Sequence, residues 1–163
     1  MALSSASSFR KIVSSSTTVK RLEKSLADHP LTIHNASDLP LVQMDFVLME
    51  QVLVNLLDNI GNYTPPGTPA RIESWIEDQH LKIAVSDSGP GIPAESLERI
   101  FTKFYRIPGT ATGGTGLGLS ICRGLVEAHG GTLVVSNKPD GGTRFLISLP
   151  AMNTPPPVKE ASL

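Results

Sequence analysis

EQVLVNLLDNIGNY, residues 50–63, carries two stripes at helical spacing. Leu48 just before it, with Val52, Leu53, Leu56, Leu57 and Ile60, makes a broad apolar face of the kind a globular core covers. Gln51, Asn55, Asn59 and Tyr63 recur at every fourth residue on a second line, with Asn62 beside them. Asn is a mediocre helix former because its side chain competes for backbone hydrogen bonds, so asparagines aligned in mid-helix want a reason. A hard cation is one reason: amide oxygens suit Mg2+, which keeps most of its waters and binds substrate phosphates. A polar strip facing solvent is the other.

The 163-residue chain is long enough for one domain with its own core. Its formal net charge of -1 gives no long-range pull toward nucleic acid or an anionic membrane, so neither is an expected partner. The single Cys122 leaves no internal disulfide to form and suits a reducing compartment. No apolar run reaches the ~18 residues of a membrane helix. The opening MALSSASSF has no apolar signal core, so a cytosolic setting is expected.

Residues 1–30 read as a Ser-rich, disordered start and a linker helix. Phe9, Ile12, Val13, Val19, Leu22 and Leu26 share a face of that helix, interrupted by SSSTT, and Pro30 ends it. Leu31–Asn35 alternates as a strand, and Asp45 reads as the N-cap of the Asn-bearing helix, which TPPG at 64–67 stops. Ala70–Ile76 and Leu81–Ser86 have the pattern of a hairpin, and Ala94–Ile100 of a short helix. A further helix is expected from about Thr115 to His129, with Leu119, Cys122, Leu125 and Val126 inward and Gly130–Gly131 closing it. His129 at that C-terminus is placed where a partial positive charge is favoured. Thr132–Ser136 and Thr143–Leu149 read as strands joined by the turn NKPDGG, and 151–163 as a disordered tail. This order predicts an α+β fold: a two-layer sandwich with a mixed, mostly antiparallel sheet and helices on one face.

Three more stretches carry chemistry. DSGPGI, 87–92, puts a carboxylate at a strand end ahead of two glycines. Asp87 in that place can accept from an exocyclic amino group and so select adenine over guanine; a plain turn is the competing reading. GGTGLGL, 113–119, is a glycine loop opening a helix, where free N–H groups and the helix dipole suit phosphate. It matches neither the Walker loop nor the dinucleotide fingerprint, and a flexible linker is the alternative. FTKFYR, 101–106, gathers aromatics that pack under a loop, while Lys103 and Arg106 either reach a triphosphate or stay solvated. The four histidines show no metal spacing.

Together, in this order, NLLDN, DSGPGI, FTKFYR and GGTGLGL resemble the N box, first glycine box, F box and second glycine box of sensor histidine kinase catalytic domains. These belong to the superfamily shared with DNA gyrase and a heat-shock chaperone. The resemblance covers about 31–150, and LADHPLTIH, DLPLV and ICRGLVEAHGG are similar to the potassium-responsive Kdp-type kinases. It implies a Bergerat-type ATP-binding fold, with ATP and Mg2+ as ligands.

By the same resemblance, Asn59 gives its oxygen to the metal, Asn55 contacts phosphate or metal-bound water, and Tyr63 lines the pocket. Asp87 takes the adenine amino group with Thr143 in its water network, Gly89 and Gly91 let the base approach, and Ile92 packs near it. The backbone of Gly114, Thr115, Gly116, Leu117, Gly118 and Leu119 serves the phosphates, within and beside a mobile lid at 106–115. Hydrolysing relatives have Glu where Asn55 stands, so phosphoryl transfer to a histidine is implied rather than hydrolysis. Asn62 departs from the family's usual Lys, and Lys103 or Arg106 is expected to take over that charge.

The family's phosphoacceptor segment, His followed by Glu and soon by Pro, does not occur in the sequence. The expected partners are therefore a phosphoacceptor and dimerisation domain of the same kinase and a response regulator. The segment reads as the cytosolic part of a membrane-anchored sensor, itself making no membrane contact and unable to autophosphorylate alone. A catalytically silent ATP-binding module and an anti-sigma-type serine kinase are the alternatives.

Overall fold

Asp45 starts the central helix as the sequence leads one to expect: its carboxylate accepts from the Leu48 N–H at 3.1 Å, satisfying one of the free donors of the first turn. The computed structural model describes residues 16–37, 39, 42–110 and 113–152. It comprises helix α1 (Ser16–Ser25), strand β1 (Leu31–Asn35), helix α2 (Phe46–Tyr63), strands β2 (Ala70–Glu77) and β3 (His80–Asp87), the short helix α3 (Ala94–Leu97), helix α4 (Gly118–Ala128) and strands β4 (Thr132–Asn137) and β5 (Thr143–Pro150). The disordered start and tail and the first part of the linker helix, expected at 1–15 and 153–163, lie outside the described residues.

On α2 the buried positions Met49, Val52, Leu53, Leu56, Leu57 and Ile60 follow the helical repeat, with Val54 also covered. Met49, not Leu48, is the first of them: Leu48 stays 38% exposed on the capped first turn. Full burial of each such aliphatic side chain contributes about 1.5–3 kcal/mol, which outweighs the weak helix propensity of the asparagines. Thr64 ends the helix by sending both its N–H and its hydroxyl to the Ile60 carbonyl. Gly61 lets α1 close in, since a Cβ there would lie 2.2 Å from the Ser25 carbonyl oxygen. The Ser25 hydroxyl also donates to Asp58 across the same junction.

The sheet has the order β1-β2-β3-β5-β4, with β1 parallel to β2 and the other neighbours antiparallel. Between β2 and β3 the two-residue turn Asp78–Gln79 has φ of 49° and 59°, the left-handed pair that matches strand twist in a tight hairpin. Side chains alternate across the sheet. Ala70 and Ile72, Leu81, Ile83 and Val85, and Phe145, Ile147 and Leu149 face the helices and form the core. The expected two-layer α+β sandwich is what the chain adopts.

Two expected helices are shorter than the sequence suggests. α3 ends at Leu97, the chain continuing as turns through Ile100, and α4 starts at Gly118 because Gly116 takes φ +72°. On α4, Cys122 and Val126 are buried while Leu119 and Leu125 are partly covered. His129 is the C-cap of α4, as expected. The Asp45 N–H donates to Nε2 at 2.9 Å, so Nδ1 must carry the proton it gives to the Leu125 carbonyl at 2.7 Å. The two bonds tie the end of α4 to the start of α2.

Where α4 crosses α2, the Cys122 thiol donates to the Val52 carbonyl. Burial pushes the thiol up to about 11 from 9.0, opposed only in part by a hydrogen bond from Asn55. A disulfide reagent at pH 8 should leave the native protein unmodified and label it fully in denaturant; rapid labelling of the native protein would contradict this packing. Because the unfolded thiol ionises near 9 and the native one near 11, stability should fall as pH rises through that window.

Candidate functional site

The alternation that buries Leu81, Ile83 and Val85 turns Asp87 to the same side, and the one that buries Leu149, Ile147 and Phe145 does so for Thr143. These are the last inward positions of β3 and β5. Asp87 is 5% exposed, and its Oδ1 accepts from the Gly89 N–H at 2.7 Å and the Thr143 N–H at 3.4 Å. Oδ2 has no donor among the described residues. A buried carboxylate needs donors, and here one oxygen is left for a donor from outside.

Beyond this sheet end a cleft of about 430 Å3 opens, walled by the end of α2, the segment 88–93, the FTKFYR turn and the glycine stretch before α4. From α2 come Asn59, Asn62 and Tyr63; from the sheet end, Asp87 and Thr143; from the loop after β3, Gly91 and Ile92. Arg106, Gly114, Thr115, Gly116, Gly118 and Leu119 line the opposite side. Among the candidates, Asn55, Gly89, Lys103 and Leu117 are not on the wall. Asn55 sits one turn back on the Asn59 line, holding the Gln51 amide at 2.9 Å. Gly89 lies beneath the loop, where a Cβ would come within 2.8 Å of Thr64 Cγ2 and 2.9 Å of Asp87 Oδ1. Of the two cations, only Arg106 reaches the cleft, and Lys103 is exposed away from it.

The aromatics of FTKFYR divide. Phe101 meets Phe145 edge-on at 6.4 Å, and the Tyr105 hydroxyl bonds Ser96 at 2.9 Å. Phe104 breaks the expectation of packing under a loop: it is 72% exposed with φ +66°, a conformation unfavourable for a bulky residue. Its N–H donates to the Gly116 carbonyl at 2.9 Å, and a Cβ on Gly116 would lie 2.8 Å from its backbone. The glycine loop is thus seated directly on the aromatic turn. α4 begins without a side-chain cap, unlike α2, so its first N–H groups are left for an acceptor at the cleft. Apolar wall residues that sequence reasoning missed include Ile60, Ile107 and Phe145, the last findable from its parity with Thr143.

The family described as Histidine kinase-, DNA gyrase B-, and HSP90-like ATPase matches residues 44–153, and the chain belongs to it. Among curated relatives, the sensor protein KdpD of Escherichia coli (strain K12) is 38% identical over 138 residues, 84% of this chain and 15% of KdpD. The adaptive-response sensory kinase SasA of Synechococcus sp. (strain CC9311) is 42% identical over 137 residues, 81% of this chain and 36% of SasA. The chain therefore spans well under half the length of these relatives. In solved structures, a mycobacterial sensor histidine kinase, MprB, superposes with a TM-score of 0.77 at 26% identity, covering 88% of this chain and 95% of that one. The nucleotide-free catalytic domain of histidine kinase ThkA gives 0.74 at 27%, covering 93% and 95%. The fold is that of histidine kinase catalytic domains.

Two glycines test how the site is packed. Gly109 and Gly142 have φ of +82° and +94°, but a Cβ on Gly109 meets nothing within 4 Å, whereas on Gly142 it falls 2.0 Å from the Asp87 carbonyl oxygen. Gly109→Ala should cost only the left-handed strain, about 1–2 kcal/mol. Gly142→Ala should cost about 1–3 kcal/mol more from the clash. Denaturant melts measure both, and equal losses would contradict the close contact at Asp87.

Proposed function

We propose that this domain binds Mg-ATP in the cleft and donates the γ-phosphoryl group to a histidine on a phosphoacceptor domain of the same kinase, which passes it to a response regulator. The observation that carries the reading is the open oxygen of Asp87 in the same cleft as Asn59 and the uncapped start of α4. It is an acceptor for a base at one end and donors for phosphate at the other. ThkA, a structural relative at a TM-score of 0.69 and 26% identity, has been solved in complex with the response regulator TrrA, which supports the last step.

In this reading Asp87 accepts the adenine amino proton and Thr143 joins it through water. Ile92, with Tyr63 toward the mouth, covers the base, and Gly89 and Gly91 keep the backbone close. The Asn59 amide makes no hydrogen bond to a described residue, so its oxygen is available as a ligand. One neutral oxygen suits Mg2+, which holds most of its waters; among the described residues no group of three or more His, Cys, Asp and Glu is placed to hold a metal ion. An ion held there would supply charge neutralisation to the phosphates. Asn55, behind Asn59 and off the cleft wall, is committed to Gln51 and Cys122 and supports the Asn59 turn from behind rather than touching phosphate; as an amide it is no general base. The backbone from Gly114 to Leu119 donates to the phosphates, and Arg106 adds the charge that Asn62 does not. The acceptor histidine is its own nucleophile, so positioning and charge neutralisation suffice.

No described helix is long and apolar enough to cross a membrane, and we place the domain in the cytosol as part of a longer sensor. Asn62 in place of a lysine supports one rival, a module that binds nucleotide without transferring phosphate.

Labelled ATP with a separately made phosphoacceptor domain should put label on histidine; binding without transfer would establish the silent module instead. ATP should bind more tightly than GTP, and Asp87→Asn should weaken it roughly 10- to 100-fold, the effect of mispairing a buried acceptor. Equal affinity for the two nucleotides would overturn the base-recognition scheme.

A further inference from the structure

β4 repeats the parity of its neighbours. Leu133 and Val135 face the core, and Asn137 is the next inward position, paired in register with Thr143. Asp87, Thr143 and Asn137 therefore end three strands on one row. Asn137 is not on the cleft wall. Its Oδ1 accepts from the Ile92 N–H at 2.8 Å, and its Nδ2 donates to the Ile92 carbonyl at 2.7 Å. The side-chain amide thus pairs with both polar groups of one residue, as a neighbouring strand would.

The grip is close: a Cβ on Gly91, at φ +80°, would lie 2.9 Å from Asn137 Oδ1. The segment 88–93 is consequently held at two points, at its root by the Gly89 N–H on Asp87 and at its tip by Asn137 on Ile92. The following turn supports the root as well, with Lys138 Nζ donating to the Asp87 carbonyl at 3.1 Å. Ile92 and Asp87 both line the cleft, in the part assigned to the base.

We propose that Asn137 is a positioning residue for base selection: by fixing Ile92 relative to Asp87 it sets the width and register of the slot in which a purine meets the carboxylate. The inference rests on the adenine reading above. Only an amide serves here. A carboxylate keeps the acceptor but turns a second oxygen toward the Ile92 carbonyl, and alanine keeps neither bond.

The test uses the whole chain with Asn137→Ala and Asn137→Asp, each first shown to be folded by its thermal melt; if the alanine variant fails to fold, the aspartate variant carries the test. Affinities for ATP, adenosine and GTP are measured by calorimetry, and exchange of the Ile92 amide by NMR. Asn137→Ala should lose about tenfold for ATP and for adenosine alike, the scale of lost hydrogen bonds. GTP should change little, so the ATP-to-GTP preference falls about tenfold, and Asn137→Asp should lie between. Ile92 exchange should quicken while core amides such as Ile83 stay protected. A folded variant with unchanged preference overturns the proposal, because general destabilisation would not alter selectivity among folded molecules. A wild-type chain that binds no adenine nucleotide overturns the functional reading and this inference together; failure in the variants alone overturns only the inference.

Discussion

Asp87 is a carboxylate at an inward position of a strand whose other inward positions are aliphatic. Such a group costs several kcal/mol to bury unless its oxygens are bonded. The surroundings answer for one oxygen only. The loop returns a Gly89 N–H to it, and β5 brings the Thr143 N–H alongside. Much of the rest follows from keeping that carboxylate in place. Gly142, at φ +94°, rests directly on the Asp87 backbone; Gly91, at φ +80°, lies against the Asn137 amide, and Gly89 against the Thr64 and Asp87 side chains.

The cleft has two ends of different construction. Hydrogen bonds between strand ends and the loop they hold fix the Asp87 end. The end toward α4 is backbone and glycine, seated on the strained Phe104 and continuing into an uncapped helix. α2 connects them, since its apolar side is the centre of the core while Asn59, Asn62 and Tyr63 look into the cleft. The His129 bridge fixes the start of α2 to the end of α4, so the helix bearing Asn59 and the helix that the glycine loop opens are joined apart from their packing.

What could be read from the sequence was what local spacing encodes. The helical repeat of α2, the alternation of β2, β3 and β5 and the glycine-to-helix junction at 113–119 are consequences of residues a few places apart, and the fold followed from them. Most of the candidate wall came from the family resemblance of the four motifs, which named Tyr63, Gly91, Ile92 and Thr143 where local spacing alone did not. The remainder depends on tertiary register. Lys103 and Arg106 are three residues apart in an irregular turn, and nothing local says that only Arg106 meets the cleft. Asn137 reads as an ordinary turn residue until β4 pairs with β5 and brings it to Ile92, 45 positions away. His129 is legible as a helix end, but its bond to the Asp45 N–H, 84 positions away, is not.

The central claim is that one cleft holds a base at Asp87 and phosphates at the start of α4 simultaneously. Titrating the isotope-labelled chain with Mg-ATP and following its amide signals tests this most directly. The expected result is that Gly89, Thr143, the Asn59 side-chain amide and the backbone of Gly116–Leu119 shift together along one saturation curve. Shifts confined to the open face of the sheet, at residues such as Arg71 and Arg144, with Gly89 and Thr143 unmoved, would contradict it.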